Sequence, residues 1–205
     1  MIEFAEVNCN TGVLKIIGEI KTPEEYRMSK LIRIDKEHII CQTPRQNLYL
    51  VHVPTMTLLA TYVVPPYTAP ESSYAEDVTI KDCIIMNADS SKVELLLSID
   101  KIGLVQLFLS KQNSQYIFTP GVSHTLAGEF SDIYHVRQAL HPGVVIFMCW
   151  QLGKRYVVYD TNSRKVLRKV FIDEHSGSSL EYAKPIGIPT LGHELYPCFF
   201  AVRDS

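Results

Sequence analysis

The side chains of this chain that could do chemistry are scattered, and their spacing argues against most kinds of it. Seven histidines (His38, His52, His124, His135, His141, His175 and His193) include no pair four residues apart, the spacing that puts two imidazoles on one helical face around a zinc ion. The five cysteines, Cys9, Cys41, Cys83, Cys149 and Cys198, form no C-x-x-C. Three of them, in "HIICQT", "IFMCWQ" and "YPCFF", sit at comparable places inside apolar runs. A ring of thiols could take a soft metal there, but a small buried hydrophobe is the simpler role. No metal ligands are assigned, and no cofactor is expected.

Nucleophilic catalysis has no more support, since there is no G-x-S-x-G and no phosphate-cradling glycine loop. Arg33, Asp35, Lys81, Asp82, His135 and Arg137 could together line a channel, with Asp82 and His135 as the acid and base of a hydrolase. They form a mixed-charge set that pairs off readily, so no catalytic residues are assigned and the chain is read as not an enzyme.

Composition narrows the partners and the compartment. Lys plus Arg number 20 against 22 Asp plus Glu, for a net charge of -2, which gives no overall pull toward nucleic acid or an anionic membrane. No apolar run approaches the roughly 18–20 residues that a membrane-spanning helix needs, and "MIEFAEVNCNTG" is acidic where a signal peptide would be basic. An odd cysteine count without any N-x-S/T sequon fits reduced thiols in the cytoplasm or nucleus. At 205 residues the chain can bury roughly 70% of its unfolded surface, so stability needs neither disulfide nor metal.

The elements that must position these residues are strands. "RYVVYDTNSRKVLRKVFID" (residues 155–173) reads as a strand, a polar turn and a second strand that alternates apolar with basic residues. The same grammar recurs in "FAEVNCNTGVLKIIGEI", "NLYLVHVPTMTLLATYVV" and "LVQLFLSKQNSQYIFTP", with turn centres at Asn10, Thr55, Asn113 and Asn162. Between these hairpins "LIRIDKEHIICQT", "VTIKDCIIMNADSSKVELLLSID" and "IYHVRQALHPGVVIFMCWQ" each run from a strand through a polar break into a nearly continuous apolar strand. A run that is apolar on both faces belongs in the middle of stacked sheets. Each period therefore supplies four strands, a to d.

The third and fourth strands around "VVYDTNSRKVLRKV" resemble the end of a WD40 repeat. Tyr159 and Asp160 stand where that family has Trp-Asp, although the first copy has Val7 and Asn8 and the Gly-His pair is absent. The resemblance implies an all-β fold, a degenerate WD40-like β-propeller filling residues 1–205. Its parts are a half blade at 4–20, blades at 31–64, 78–118 and 133–172, and a half blade at 184–203. Two arrangements remain open: four blades closed by a composite terminal blade, or a partial set of blades from a larger propeller.

Two long loops between consecutive blades share a composition. Residues 65–79 carry Tyr67, Glu71, Tyr74, Glu76 and Asp77, and residues 173–184 carry Asp173, Glu174, Glu181 and Tyr182. Tyrosine favours interfaces and the acids would complement a basic peptide segment. Lys154, Arg155, Arg164, Lys165, Arg168 and Lys169 form a basic cluster. Strand periodicity splits it over several faces, and it has no aromatic stacking platform, which argues against a nucleic-acid partner.

The expected function is a noncatalytic protein-protein interaction scaffold that presents propeller rim loops, a subunit of a larger complex. Its partners would be proteins, either a basic peptide segment or a chain completing the propeller, with no membrane involved. The alternatives are a small-molecule-binding or hydrolytic propeller with a site at the channel mouth, or a purely structural ring-completing role.

Overall fold

The structure is a computed structural model, and it describes residues 2–7, 11, 13–21, 29–68, 74–89, 91–124, 133–149, 155–171, 184–187 and 198–201. Those residues are all strand, turn or irregular chain, with no helix among them. The chain divides into two compact units: residues 1–80, 88–93 and 108–119 in the first, and 81–87, 94–107 and 120–205 in the second.

Unit 1 contains the pair β1 (Ile2–Val7) and β2 (Leu14–Ile20), followed by a four-stranded antiparallel meander of β3 (Lys30–Arg33), β4 (His38–Gln42), β5 (Asn47–His52) and β6 (Thr57–Val63). Strand β5 is buried from Asn47 to Val51, whereas the outermost strand β6 is largely open. The continuous apolar run "LYLV" and the mixed run "TLLATYV" thus sort themselves into an inner and an edge strand. Ile20, Cys41, Tyr49 and Val51 form the core, with Ile39 and Met56 packed against it. Each large apolar side chain fully buried in this way contributes about 1.5–3 kcal/mol.

Unit 2 contains the meander β13 (Ile133–Gln138), β14 (Val144–Cys149), β15 (Arg155–Asp160) and β16 (Lys165–Phe171), and the pair β17 (Lys184–Gly187) and β18 (Cys198–Ala201). Every residue of β14 is buried. One face of the β14–β15 pair buries Val145, Phe147, Cys149, Val157 and Tyr159 with Leu96 and Leu104. The other buries Val144, Ile146, Met148, Tyr156 and Val158. Strand β13 bulges at His135, whose φ is 51°, and its register shifts between Tyr134 and Arg137.

The third four-stranded sheet has the order β12-β11-β10-β9, built from β9 (Ile80–Ala88), β10 (Lys92–Ile99), β11 (Gly103–Gln112) and β12 (Gln115–His124). Residues 88–93 and 108–119 of this sheet group with unit 1, and 81–87 and 94–107 with unit 2. Strand β12 is the outermost and carries Pro120, as an edge strand permits and a central one does not.

The hairpins that close these sheets repeat in detail. After β5 and after β15 comes a four-residue turn whose last residue is left-handed, Met56 at φ 51° and Arg164 at φ 57°. Each is accompanied by a register shift, at Leu50/Val51 and at Val158/Tyr159. The β11–β12 hairpin instead uses a two-residue turn, Asn113 and Ser114 at φ 46° and 68°, the primed geometry whose twist matches the flanking strands.

Candidate functional site

Residues 65–79, read from sequence as one long loop, contain a small hairpin of their own in unit 1, β7 (Tyr67–Thr68) and β8 (Ala75–Glu76). Tyr67 lies opposite Glu76, and Thr68 opposite Ala75. Both ends of the segment are fastened to the turn between β4 and β5. Val64 N–H donates to Gln46 O at 2.9 Å, and Ile80 N–H donates to Arg45 O at 2.7 Å. The Gln46 amide also donates to the Asp77 carboxylate at 3.1 Å. Val64 and Val78 are buried beneath the hairpin ends. Above this base Tyr74 is 79% exposed, with Glu76 and Asp77 exposed as well. Of the nine residues singled out in sequence, four therefore gather on one element: Tyr67, Tyr74, Glu76 and Asp77. Glu71, Asp173, Glu174, Glu181 and Tyr182 lie outside the described residues.

Of the residues considered for a channel, Arg33 and Asp35 belong to unit 1, and Lys81, Asp82, His135 and Arg137 to unit 2. Asp35 is in the turn between β3 and β4, not on a strand. Its carboxylate accepts from the amides of Glu37 and His38 at 2.7 and 2.8 Å and from the His38 ring. In unit 2, Arg137 Nη1 sits 3.3 Å from the nearly buried Asp82 carboxylate, and Lys81 Nζ sits 3.9 Å from Asp100. These charges pair with one another. Among the described residues no three His, Cys, Asp or Glu side chains come together as a metal would require.

The basic cluster changes in one respect. Arg155 begins β15 and is buried. Its place between Cys149 and Phe171 in the sheet explains why it is covered. Arg164, Lys165, Arg168 and Lys169 are exposed, and Lys154 is outside the described residues.

A feature that sequence reasoning missed lies at the opposite end of the β3–β6 sheet from the hairpin, where the β3–β4 and β5–β6 turns sit. A cavity of about 260 Å³ is lined there by Asp35, His38, Lys92, Lys111, Tyr116 and neighbouring residues, all within unit 1. A wider hollow shares His38, Lys111 and Tyr116 with it and adds His52 and Leu58. The His38 ring is the centre: Nδ1 meets the Asp35 carboxylate at 2.9–3.0 Å and Nε2 meets the Tyr116 hydroxyl at 3.2 Å. Burial, followed by the charges of Asp35 and Glu37, pushes the Tyr116 phenol above its ordinary pKa. Burial alone would raise the Asp35 carboxyl, but the bonds from Glu37 and His38 outweigh it and hold the group low. The β9–β10 turn repeats the motif, with Asp89 accepting from the amides of Ser91 and Lys92 at 2.7 and 2.8 Å, so that Lys92 occupies the place of His38. A repeated Asp two and three residues before its amide partners was the available signal, one too common in turns to stand out.

No family model matches the chain, and no curated protein matches it in sequence. Solved structures do match in fold. The β-propeller domain of Cps50 (Swd1) from Myceliophteria thermophila superposes with a TM-score of 0.51 at 9% identity, over 82% of this chain and 53% of that one. The fission yeast SREBP–SCAP binding domains (TM-score 0.48, 12% identity, 91% of this chain and 50% of that one) and a chain of the mitotic checkpoint complex (0.42, 10%, 82% and 59%) are also similar. The chain thus spans about half the length of the propeller domain it matches best in shape among these three. Its all-β, four-stranded antiparallel sheets are those of a β-propeller fold, and a partial set of blades fits.

Proposed function

We propose that this chain is a noncatalytic protein-interaction scaffold, a portion of a β-propeller that belongs to a larger complex and presents the β7–β8 hairpin to another protein. The observation that carries this reading is the hairpin's construction. An exposed tyrosine and two exposed carboxylates project from a base pinned at both ends to one turn. A short element held in this way loses little conformational freedom on binding, and its acids complement a basic peptide segment. The pairing of Asp82 with Arg137 and of Lys81 with Asp100 leaves the hydrolytic alternative without a supporting observation. The buried, unlinked thiols of Cys41, Cys83 and Cys149 favour a reducing compartment, the cytoplasm or nucleus.

The test is quantitative capture of co-purifying proteins by the wild-type chain and by two variants, Tyr74→Ala and the double reversal Glu76→Lys/Asp77→Lys. Loss of the same captured protein in both variants, with unchanged melting, is the expected result. Undiminished capture by the double reversal would remove the hairpin from the proposal.

A further inference from the structure

We infer that the free edge of β16 is a second protein-binding surface, one that adds an extended acidic segment of a partner protein as a further strand. It belongs to unit 2 and does not depend on the role of the β7–β8 hairpin in unit 1.

Strand β16 ends the order β13-β14-β15-β16, so its far side has no ladder partner among the described strands. Such an edge is a template for another strand, and here it is singled out by charge. The fourth strands of the other two meanders, "TLLATYV" and "QYIFTPGVSH", carry no Lys, Arg, Asp or Glu. Strand β16, "KVLRKVF", carries three cations, and Arg164 precedes it. Charge on an open edge can serve only to block pairing with other molecules, but β6 is open with neither charge nor proline, so this fold does not require it.

The backbone then gathers the charge. Strict alternation would put Lys165 and Arg168, three residues apart, on opposite faces. The register shift in β16 prevents this: Lys165 lies opposite Asp160 and Arg168 opposite Val158, two positions of β15 that share a face. Leu167 is the extra residue of the bulge and is 43% exposed. Two cations thus stand side by side beside an open apolar side chain. Arg164, Lys165 and Arg168 make no ion pair among the described residues. The Asp160 carboxylate is engaged by its own turn, accepting from the Asn162 amide and the Ser163 hydroxyl.

Like charges directly opposite one another weaken a strand pair, and opposite charges strengthen it. A second copy of β16 is therefore repelled, whereas a strand with acids at alternate positions is favoured. A nucleic acid would find no aromatic side chain to stack on among the exposed residues of β16.

The experiment is fluorescence anisotropy of the full chain with labelled peptides of one length and charge. One alternates Glu with Val or Thr, and the other has the same residues with the acids gathered at one end. The alternating peptide should bind more tightly. Of its two N-methylated forms, modified at the Glu positions or at the intervening ones, one should fail and the other bind, because only every second amide of an added strand faces β16. Lys165→Gln/Arg168→Gln should weaken binding roughly three- to thirtyfold, the worth of two cross-strand charge pairs, and Lys92→Gln/Lys111→Gln in unit 1 should not weaken it. All four residues are exposed, so both variants should melt like wild type. Lys165→Glu/Arg168→Glu should instead bind an alternating Lys peptide. No binding of the alternating acidic peptide, the same response to both N-methylated forms, equal loss in the two Gln variants, or tighter binding of oligothymidine than of any peptide would overturn the proposal.

Discussion

The Tyr159 hydroxyl and His124 Nδ1 share a hydrogen bond of 3.1 Å between two buried rings set edge to face, and the other nitrogen of the same imidazole, Nε2, has no partner. Protonating that ring would bury a cation with one donor unsatisfied. Burial, and then the positive charge of Arg164, accordingly hold the His124 pKa below its ordinary value. The unfolded chain binds this proton more readily than the folded one, so the stability it contributes is complete above about pH 6.5 and declines as the pH falls below that. Urea midpoints at pH 7.5 and 5.5 should separate for wild type and lie closer together for His124→Gln. An equal separation in the two proteins would refute the assignment.

The thiols should be inert in the native state. Cys41, Cys83 and Cys149 are fully buried and unlinked, and burial pushes the Cys41 thiol up to about 11. A thiol both covered and protonated is a poor nucleophile. Alkylation at pH 8 followed by peptide mapping should leave these three unlabelled until denaturant is added. Rapid labelling of Cys41 in the native protein would mean that β4 opens locally.

Replacement of Gly143 should be costly in unit 2. Its φ is +81°, and a Cβ there would run into the Asn162 side chain. Its carbonyl also accepts from both the amide and the hydroxyl of Thr161, at 2.8 and 2.7 Å, which ties the β13–β14 turn to the β15–β16 turn. Gly143→Ala should destabilise by roughly 1–3 kcal/mol, and each kcal/mol lowers the melting temperature by about 2–4 °C in a chain of this size. Gly143→Ala/Asn162→Gly, which relieves the clash but not the backbone, should recover only part of the loss.

The legible part of the fold was the part written in local periodicity. "LYLV" and "VVIFMC" are apolar on both faces and became buried inner strands, while "TLLATYV" and "QYIFTPGVSH" became open edges. Tyr159 and Asp160, the pair that resembles Trp-Asp, do close a strand: the tyrosine is buried and the aspartate binds its turn. What was not legible depends on distance in sequence or on backbone detail. Nothing local announces that Tyr116 meets His38, 78 residues away. Nor does anything local announce that Arg155 is buried, since its two ladder partners, Cys149 and Phe171, lie on the neighbouring strands. The segment 65–79 hid β7 and β8, because two-residue strands have no period to detect.

Asp160 offers the sharpest test of the turn chemistry shared between the two units. Its Oδ1 accepts from the Asn162 amide at 2.9 Å and its Oδ2 accepts from the Ser163 hydroxyl at 2.7 Å. At the matching place in unit 1, His52 Nδ1 meets the Thr55 hydroxyl at 2.6 Å. The same link from strand end to turn hydroxyl is thus made once by a carboxylate and once by an imidazole. The Ser163 hydroxyl is the main reason that the Asp160 pKa lies below its ordinary value, opposed by burial and aided by the turn amides. A lowered carboxylate contributes stability above its unfolded pKa of about 3.9 and loses it as the pH falls through the folded value. Ser163→Ala should therefore flatten the acid limb of stability below about pH 4, and Asp160→Ala should cost about 1 kcal/mol at neutral pH, the worth of an ordinary hydrogen bond. In a double-mutant cycle the two should be less than additive, because they remove one interaction. Full additivity would show that Asp160 acts through its backbone bond to Asn162 alone.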